Sequence, residues 1–252
     1  MSEAIDPREY SPAAASHAGR IVLVTGAGDG IGRAVALGLA AQGATVALLG
    51  RTQRKLEAVY DTIVAAGHAT PALLPFNLET ATATEYDALH DALDREFGRL
   101  DGLAHIAGIL GARSPVEHQD VPTWCRVLHV NLTAAFILTR TTLPLLKRSA
   151  DASVVFTSSG VGRRGRPYWG AYAVSKFGTE GLMQVLASEC EGTTQVRANS
   201  VNPGAVKTFM RLQAYPAEDR GALPEPAAVV PPYLWLLGPD SRGINGRAFD
   251  CQ

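Results

Sequence analysis

Two side chains that could exchange a proton with a bound molecule, Tyr172 and Lys176, lie four positions apart. In a helix this spacing puts both on one face, about 6 Å apart along the axis. A free phenol has a pKa of about 10, and a neighbouring ammonium group favours the phenolate and lowers that pKa. The pair could therefore act as one acid–base unit. Taken alone, the same spacing is more often an amphipathic helix with a surface lysine.

Two further polar residues could serve such a pair. Ser159 follows the apolar segment Ser153 to Thr157, and ligand groups in open α/β sheets gather at the carboxyl ends of strands. Asn131 stands among apolar residues inside a predicted helix, where its amide must find hydrogen-bonding partners. The alternatives are an ordinary turn serine and a core asparagine whose hydrogen bonds are satisfied. We take Asn131, Ser159, Tyr172 and Lys176 as the candidate catalytic set.

A glycine-rich turn could hold a phosphate group. It follows the first apolar segment and reads Thr25-Gly26-Ala27-Gly28-Asp29-Gly30-Ile31-Gly32. Glycines let a ligand approach the backbone without meeting a Cβ atom, and a helix that begins at the turn offers free N–H groups and the positive end of its dipole. The alternative is a tight strand-to-helix turn with no ligand. Its place after the first strand of an alternating α/β chain favours a nucleotide.

The end of the second predicted strand indicates which nucleotide. An NAD-preferring site usually carries an acidic residue there, whereas this chain reads Leu49-Gly50-Arg51. Arg51 could bind a 2′-phosphate, and Arg33 is a second candidate. These residues favour NADP(H), with NAD(H) still possible because either arginine could be simply solvated and because Asp29 would repel a phosphate.

The elements that must position these residues alternate along the chain. Apolar strand patterns and helical patterns alternate throughout, with strands at 20–25, 44–49, 73–76, 102–106, 153–157, 196–201 and 247–249 and helices at 31–42, 53–66, 83–97, 123–146, 171–189 and 227–237. Because parallel neighbours need helical crossovers, the prediction is an α/β fold with a doubly wound, Rossmann-type parallel sheet of about seven strands and helices on both faces. We expect a single domain over residues 20–252, preceded by a flexible tail over residues 1–19.

Composition excludes several classes of protein. The net charge of −1 gives no overall footprint for nucleic acid or an anionic membrane. The three cysteines, at 125, 190 and 251, lack metal-site spacing and suggest reduced thiols rather than a disulfide framework. The N-terminal segment has no apolar signal core, and no apolar run approaches the roughly 20 residues of a membrane span. We expect a cytoplasmic protein with no metal and no membrane insertion.

At this point the chain resembles the short-chain dehydrogenase/reductase family from about residue 20 to residue 250. The resemblance is carried by the glycine turn, Asn131, Ser159, the pair Tyr172 and Lys176, and the segment Asn202 to Thr208. More narrowly, the segments 156–159, 169–172, 181–187 and 233–237 resemble the bacterial YciK-type oxidoreductases. The fifth motif implies that the Val206 backbone faces the nicotinamide amide and that Thr208 faces the pyrophosphate.

The resemblance also implies the full cofactor-binding set. Its members are Thr25, Gly26, Gly28, Asp29, Gly30, Ile31, Gly32, Arg51, Asn77, Leu78, Ala107, Gly108, Tyr172, Lys176, Pro203, Gly204, Val206 and Thr208. Two positions depart from the family. The usual Asn-Asn-Ala-Gly is His105-Ile106-Ala107-Gly108, which removes the usual buried asparagine contacts, and Asn77 replaces an Asp that binds the adenine amino group.

The resemblance implies hydride transfer between NADP(H) and a carbonyl or alcohol substrate. Tyr172 would exchange the proton, Ser159 would bind the reacting oxygen, Lys176 would lower the pKa of Tyr172, and Asn131 would hold a water that links Lys176 to solvent. The alternative is a non-catalytic NADP(H) sensor on the same fold. The family also implies a homodimer or homotetramer. The substrate-facing segments, 160–169 and 208–226, name no molecule. Arg163, Arg164 and Arg166 could meet an anionic one; the alternatives are solvated loop charge and an intersubunit contact.

Overall fold

The computed structural model describes residues 6–252 and is built on one parallel sheet. Its seven strands are β1 Ile21–Thr25, β2 Thr45–Gly50, β3 Ala72–Pro75, β4 Gly102–His105, β5 Ala152–Thr157, β6 Val196–Asn202 and β7 Ala248–Asp250. They lie in the order β3-β2-β1-β4-β5-β6-β7, and each neighbouring pair is parallel. The chain order reverses between β1 and β4, which is the doubly wound arrangement predicted from the sequence.

Eight α-helices connect and cover the strands. They are α1 Gly30–Ala41, α2 Gln53–Ala65, α3 Ala83–Phe97, α4 Val121–Leu128, α5 Ala134–Leu146, α6 Gly170–Cys190, α7 Phe209–Ala214 and α8 Pro231–Leu237. The strands are apolar without alternation because both faces of the sheet are covered; all six residues of β5 are buried. Thr82 and Glu85 close α3 with a capping box, a local sequence signal for where the helix begins.

Two hydrophobic cores lie on opposite faces of the sheet. One contains Val35 of α1, Leu56 of α2 and Leu234 of α8. The other contains Leu89 of α3, Leu138 of α5 and Met183 of α6, in each case with residues of the sheet. This layering confirms the predicted single α/β domain and leaves the carboxyl ends of the strands open for a ligand.

The helix predicted over residues 123–146 is divided in two. Helices α4 and α5 are joined by a π-helical segment, His129–Thr133, which contains Asn131. Such one-turn bulges are found mostly at functional sites. Among residues 6–252 this stretch, 121–146, is the one helix that is long and apolar enough to cross a membrane, with a mean hydropathy of 1.2. Here it packs against α3 and α6 beside the sheet.

The N-terminal segment differs from the expected flexible tail. Residues 1–5 lie outside the described part of the chain, but Tyr10 and His17 are buried against the domain. The Tyr10 hydroxyl donates to Asp240, 2.8 Å away, and a ring nitrogen of His17 lies 2.9 Å from the Leu234 carbonyl oxygen. The expectation was wrong for this part because polar composition does not show that two aromatic rings find partners far along the chain.

Two further differences lie in the C-terminal half. The predicted helix over 227–237 begins as a 3-10 turn, Pro226–Val229, and continues as α8 only from Pro231. Two consecutive prolines, which lack an N–H donor, account for the break. Helix α7 was not predicted, because its six residues are too few to show a helical period.

Candidate active site

A cleft of about 840 Å³ runs along the carboxyl edge of the sheet. It is lined by most of the predicted site residues, namely Gly26, Gly28, Asp29, Gly30, Ile31, Gly32, Arg51, Asn77, Leu78, Ala107, Gly108, Ser159, Tyr172, Lys176, Pro203, Gly204, Val206 and Thr208. The two that do not line it, Thr25 and Asn131, border a small cavity behind it, together with Lys176. The cleft is large enough for a cofactor and a small substrate.

The glycine turn is shaped so that backbone, not side chains, faces the cleft. Gly26 has φ +68°, in the left-handed region. At Gly32 a Cβ atom would lie only 2.2 Å from the Gly26 carbonyl oxygen, so that position admits no side chain. Thr25 lies behind the turn, where its hydroxyl accepts hydrogen bonds from the backbone of Ile106 and Ala107, at 2.9 and 3.0 Å. Its role is to join the end of β1 to the loop after β4.

The expected repulsion between Asp29 and a phosphate is cancelled by a lysine. Lys55 of α2 lies 2.5 Å from the Asp29 carboxylate, which also accepts from the Gly30 N–H at 2.7 Å. The hydrogen bond from Lys55 is the main reason that the pKa of Asp29 lies below its usual value. Lys55 and Asp29 neutralise each other, so the exposed side chain of Arg51 presents positive charge to this end of the cleft.

The end of the cleft that contains Asn77 also holds a second ion pair. Arg126 of α4 binds Glu79 with a closest N–O distance of 2.7 Å, and both line the cleft. The Asn77 side-chain oxygen accepts from the Glu79 N–H at 3.1 Å, which leaves one lone pair for a ligand. Sequence reasoning missed Lys55 and Arg126, because each lies on a helix where charged residues are ordinary surface features.

The catalytic candidates meet at the ends of β5 and α6. The Lys176 Nζ atom donates to the Thr157 carbonyl oxygen at 2.6 Å and lies 5.7 Å from the centre of the Tyr172 ring. Burial raises the pKa of Tyr172 to about 12, and a hydrogen bond with Ser159 acts in the opposite direction. Burial also lowers the pKa of Lys176 to about 8, against the attraction of Glu180.

These values correct one expectation. The lysine was expected to lower the pKa of the tyrosine, whereas burial of the phenol raises it, since a buried phenolate loses its hydration. Tyr172 therefore keeps its proton at neutral pH in this structure. A phenol in this state could donate a proton to a bound molecule, and an ammonium nearby could stabilise the resulting phenolate.

Asn131 uses its side-chain amide within the protein. The oxygen accepts from the Ile109 N–H at 2.8 Å, and the nitrogen donates to the Ile109 carbonyl at 2.9 Å and to the Ser175 hydroxyl at 3.0 Å. These bonds fix the loop after β4 against α6, beside Lys176. Of the two interpretations of Asn131, this geometry matches the core asparagine whose hydrogen bonds are satisfied. Asn131 and Lys176 also line the same small cavity, so the amide lies near the acid–base pair.

His105 replaces the missing asparagine contacts with contacts of its own. It is buried, stacks on Phe156 at 4.8 Å, and its Nε2 lies 2.8 Å from the Thr139 hydroxyl. That hydroxyl donates to the Ala135 carbonyl, so Nε2 carries the proton and the imidazole is neutral. Burial, together with the charge of Lys176, lowers the pKa of His105 to about 3.

Arg163 is not available to a substrate. Its guanidinium lies 3.2 Å from Glu180 on α6 and 2.7 Å from Asp250 on β7, and it donates to the Phe249 carbonyl. Asp250 in turn accepts from the Asn202 amide at 2.7 Å. This network connects the loop after Ser159 to the loop that begins at Asn202.

Comparisons with known proteins agree with this geometry. A family model described as short chain dehydrogenase matches residues 20–219. The chain is 48% identical over 233 residues to the uncharacterized oxidoreductase YciK of Escherichia coli K12, covering 92% of each. A short chain dehydrogenase structure from Pseudomonas syringae superposes with a TM-score of 0.95 at 55% identity, covering 97% of this chain and 99% of that one. Another, from Escherichia coli CFT073 and complexed with NADPH, superposes with a TM-score of 0.93 at 47% identity, covering 96% and 100%.

The glycine turn gives a first prediction. Gly32→Ala should weaken NADPH binding at least tenfold and lower the free energy of unfolding by about 2 kcal/mol, because the new Cβ must displace the turn. The matched control is Gly181→Ala in α6, where a Cβ meets nothing within 4 Å and should stabilise the helix by about 0.5–1 kcal/mol. Calorimetric titration and urea unfolding measure both. If Gly32→Ala bound NADPH with wild-type affinity, the proposed phosphate-binding role of the glycine turn would be wrong.

Proposed function

The chain belongs to the short-chain dehydrogenase/reductase family, and from that premise we propose that it is an NADPH-dependent reductase of carbonyl compounds. The observation that carries the proposal is the buried pair of Tyr172 and Lys176 at the base of a cleft whose other end is a glycine cradle. NADP(H) is favoured over NAD(H) by the positive charge of Arg51, by the neutralisation of Asp29 by Lys55, and by the absence of an acidic residue at the end of β2. The related structure that holds NADPH supports the same choice.

The residues present would hold the cofactor from end to end. Gly26, Gly30 and Gly32 would face the pyrophosphate, with Thr208 across the turn, since its methyl lies 3.4 Å from where a Cβ of Gly30 would be. Arg51 and Asn77 would bind the adenosine half, and the backbone of Val206 would face the nicotinamide. A bound NADPH supplies a hydride to the carbonyl carbon.

The chain itself supplies the proton and the charge. Tyr172 Oη would donate its proton to the carbonyl oxygen as negative charge builds there, and the Ser159 hydroxyl would donate a hydrogen bond to the same oxygen. The Lys176 ammonium, held by the Thr157 carbonyl, would stabilise the phenolate that remains. Asn131 would keep the loop after β4 in place beside this group. It would also hold a water in the small cavity that links Lys176 to solvent.

We also propose that the protein forms homo-oligomers through α5 and α6. These helices expose Phe136, Val174, Phe177 and Val185, and apolar side chains grouped on neighbouring helices are typical of protein–protein contacts. We further place the protein in the cytoplasm, because Cys125, Cys190 and Cys251 are free thiols.

Removing the proton donor tests the assignment of Tyr172. Tyr172→Phe should lower turnover of a ketone by at least a thousandfold and leave the dissociation constant of NADPH within about threefold, because the ring remains while the hydroxyl is lost. Stopped-flow measurement of NADPH oxidation and a cofactor titration provide the two values. A wild-type chain that binds NADPH but oxidises it with no ketone, aldehyde, quinone or β-ketoacyl thioester would instead be the non-catalytic sensor.

The pH dependence tests the role of Lys176. Its folded pKa of about 8 lies below the ordinary value, so the ammonium is present at lower pH and is lost as pH rises through about 8. We therefore expect kcat/KM for reduction to be level below pH 7 and to fall about tenfold per pH unit well above 8. In Lys176→Arg the positive charge persists above pH 8, so kcat/KM should be lower than in the wild type but should no longer fall at high pH. If kcat/KM of the arginine variant still falls above pH 8, another group is responsible for that fall.

A charge on α6 tests the oligomer. Phe177→Glu should convert the protein to monomers or reduce its assembly, because a carboxylate would be buried without a partner. Val64→Glu is the matched control, since Val64 of α2 is 43% exposed and Phe177 is 46% exposed. Light scattering after size-exclusion chromatography gives the masses. The proposed interface is wrong if Phe177→Glu retains the wild-type mass, or if both variants lose it equally.

A further inference from the structure

The end of the cleft beyond Tyr172 is apolar and aromatic. Tyr172 packs in a small cluster with Leu110, Val161 and Ala214, and partly buried aromatic and sulfur side chains, Trp169, Met210 and Tyr215, complete it. The Trp169 ring lies 5.7 Å from the Tyr172 ring. A substrate that reaches the Tyr172 hydroxyl must therefore pass its body along an apolar wall.

Two guanidinium groups, those of Arg113 and Arg211, interrupt that wall. Arg113 lines the cleft, and its guanidinium carbon lies 4.8 Å from the centre of the Trp169 ring and 4.5 Å from that of Tyr215. One of its nitrogens also donates to the Ala214 carbonyl oxygen. Contact with both rings holds the guanidinium in place, separated from the Tyr172 ring by the single indole of Trp169.

The charge of Arg113 is not neutralised within the described part of the chain. Its neighbour Arg211 also lies over Tyr215, at 4.1 Å, but Arg211 forms an ion pair with Glu218. No carboxylate among residues 6–252 forms an ion pair with Arg113. The acidic side chains that line the cleft, Asp29 and Glu79, lie at the nucleotide end and are already paired with Lys55 and Arg126.

A guanidinium in this setting selects for a particular partner. It carries five N–H donors in a rigid plane, and only one is used by Ala214, so an edge with two parallel donors can remain for a carboxylate. Contact with two aromatic rings fixes the orientation of that plane and lowers the ordering cost of binding. The Arg113 side chain is exposed in the cleft, so a substrate can reach its guanidinium group.

We propose that the substrate is a keto acid with a compact apolar body, in which Arg113 binds the carboxylate while the carbonyl oxygen meets Tyr172 and Ser159. This inference rests on the reductase proposed above and names its substrate class. In the alternative, Arg113 has only a structural role and holds the end of α7 and the segment after it against Trp169, through its ring contacts and the Ala214 carbonyl. The two roles make different predictions, because a structural role would affect charged and neutral substrates equally.

The experiment compares substrates that differ only in charge. Reduction of 4-oxocyclohexanecarboxylate and of its carboxamide, and of 3-acetylbenzoate and its carboxamide, is followed with NADPH. We expect the wild type to favour each acid over its amide by roughly tenfold or more in kcat/KM, the size of one charge-assisted pair. Arg113→Met should remove that preference while leaving the amides within about threefold, and Arg113→Lys should keep part of it. Arg95→Met, which removes an exposed arginine of α3 outside the cleft, is the matched control and should behave as wild type.

A binding measurement separates this inference from the proposed reaction. Quenching of tryptophan fluorescence, with NADP⁺ present, reports cyclohexanecarboxylate against cyclohexanecarboxamide without any turnover. We expect at least tenfold tighter binding of the acid, lost in Arg113→Met. Equal affinity for the two compounds, or an equal loss of both in Arg113→Met, would overturn the carboxylate site. Binding of the acid by a chain that reduces no carbonyl compound would leave the Arg113 site standing and reject the reductase.

Discussion

The buried ammonium group of Lys176 is the constraint on which the rest of the site depends. A charge removed from water is costly unless donors and acceptors replace its hydration, and here the Thr157 carbonyl at the end of β5 takes that place. This contact requires α6 to lie in one register against β5. Gly162 permits this close approach, since a Cβ there would lie 2.7 Å from the Lys176 Cβ. The position of Tyr172, one helical turn earlier, follows from the same register.

The loops on either side of this pair are held together by long-range contacts rather than by their own sequence. Arg163 joins the loop after Ser159 to α6 and to β7, and Asp250 continues the connection to Asn202. The side chain of Gln252 donates to the carbonyls of Pro203 and Ala205, at 2.7 and 3.0 Å. The edge strand β7 and the residues that follow it therefore position the loops after Ser159 and Asn202, besides completing the sheet.

The sheet and the order of its motifs could be predicted, because each strand and each glycine turn is a local pattern. What could not be predicted depends on pairs of residues far apart in the chain. The burial of His17 requires the carbonyl of Leu234, and the setting of Arg113 requires Tyr215. The π-helical segment at Asn131 was missed for a related reason, since its amide binds Ile109 on another loop while the apolar period on either side continues unbroken. The Lys55 contact likewise neutralises the charge that an argument from Asp29 alone leaves free.

The two pKa values at the centre of the site describe protonation states that the sequence alone could not give. A phenol with a pKa of about 12 is protonated throughout the neutral range, so it begins a reaction as an acid. An amine with a pKa of about 8 is mostly charged at pH 7 but holds its proton less tightly than a surface lysine would. A protonated phenol beside a charged amine is the protonation state that the proposed carbonyl reduction requires.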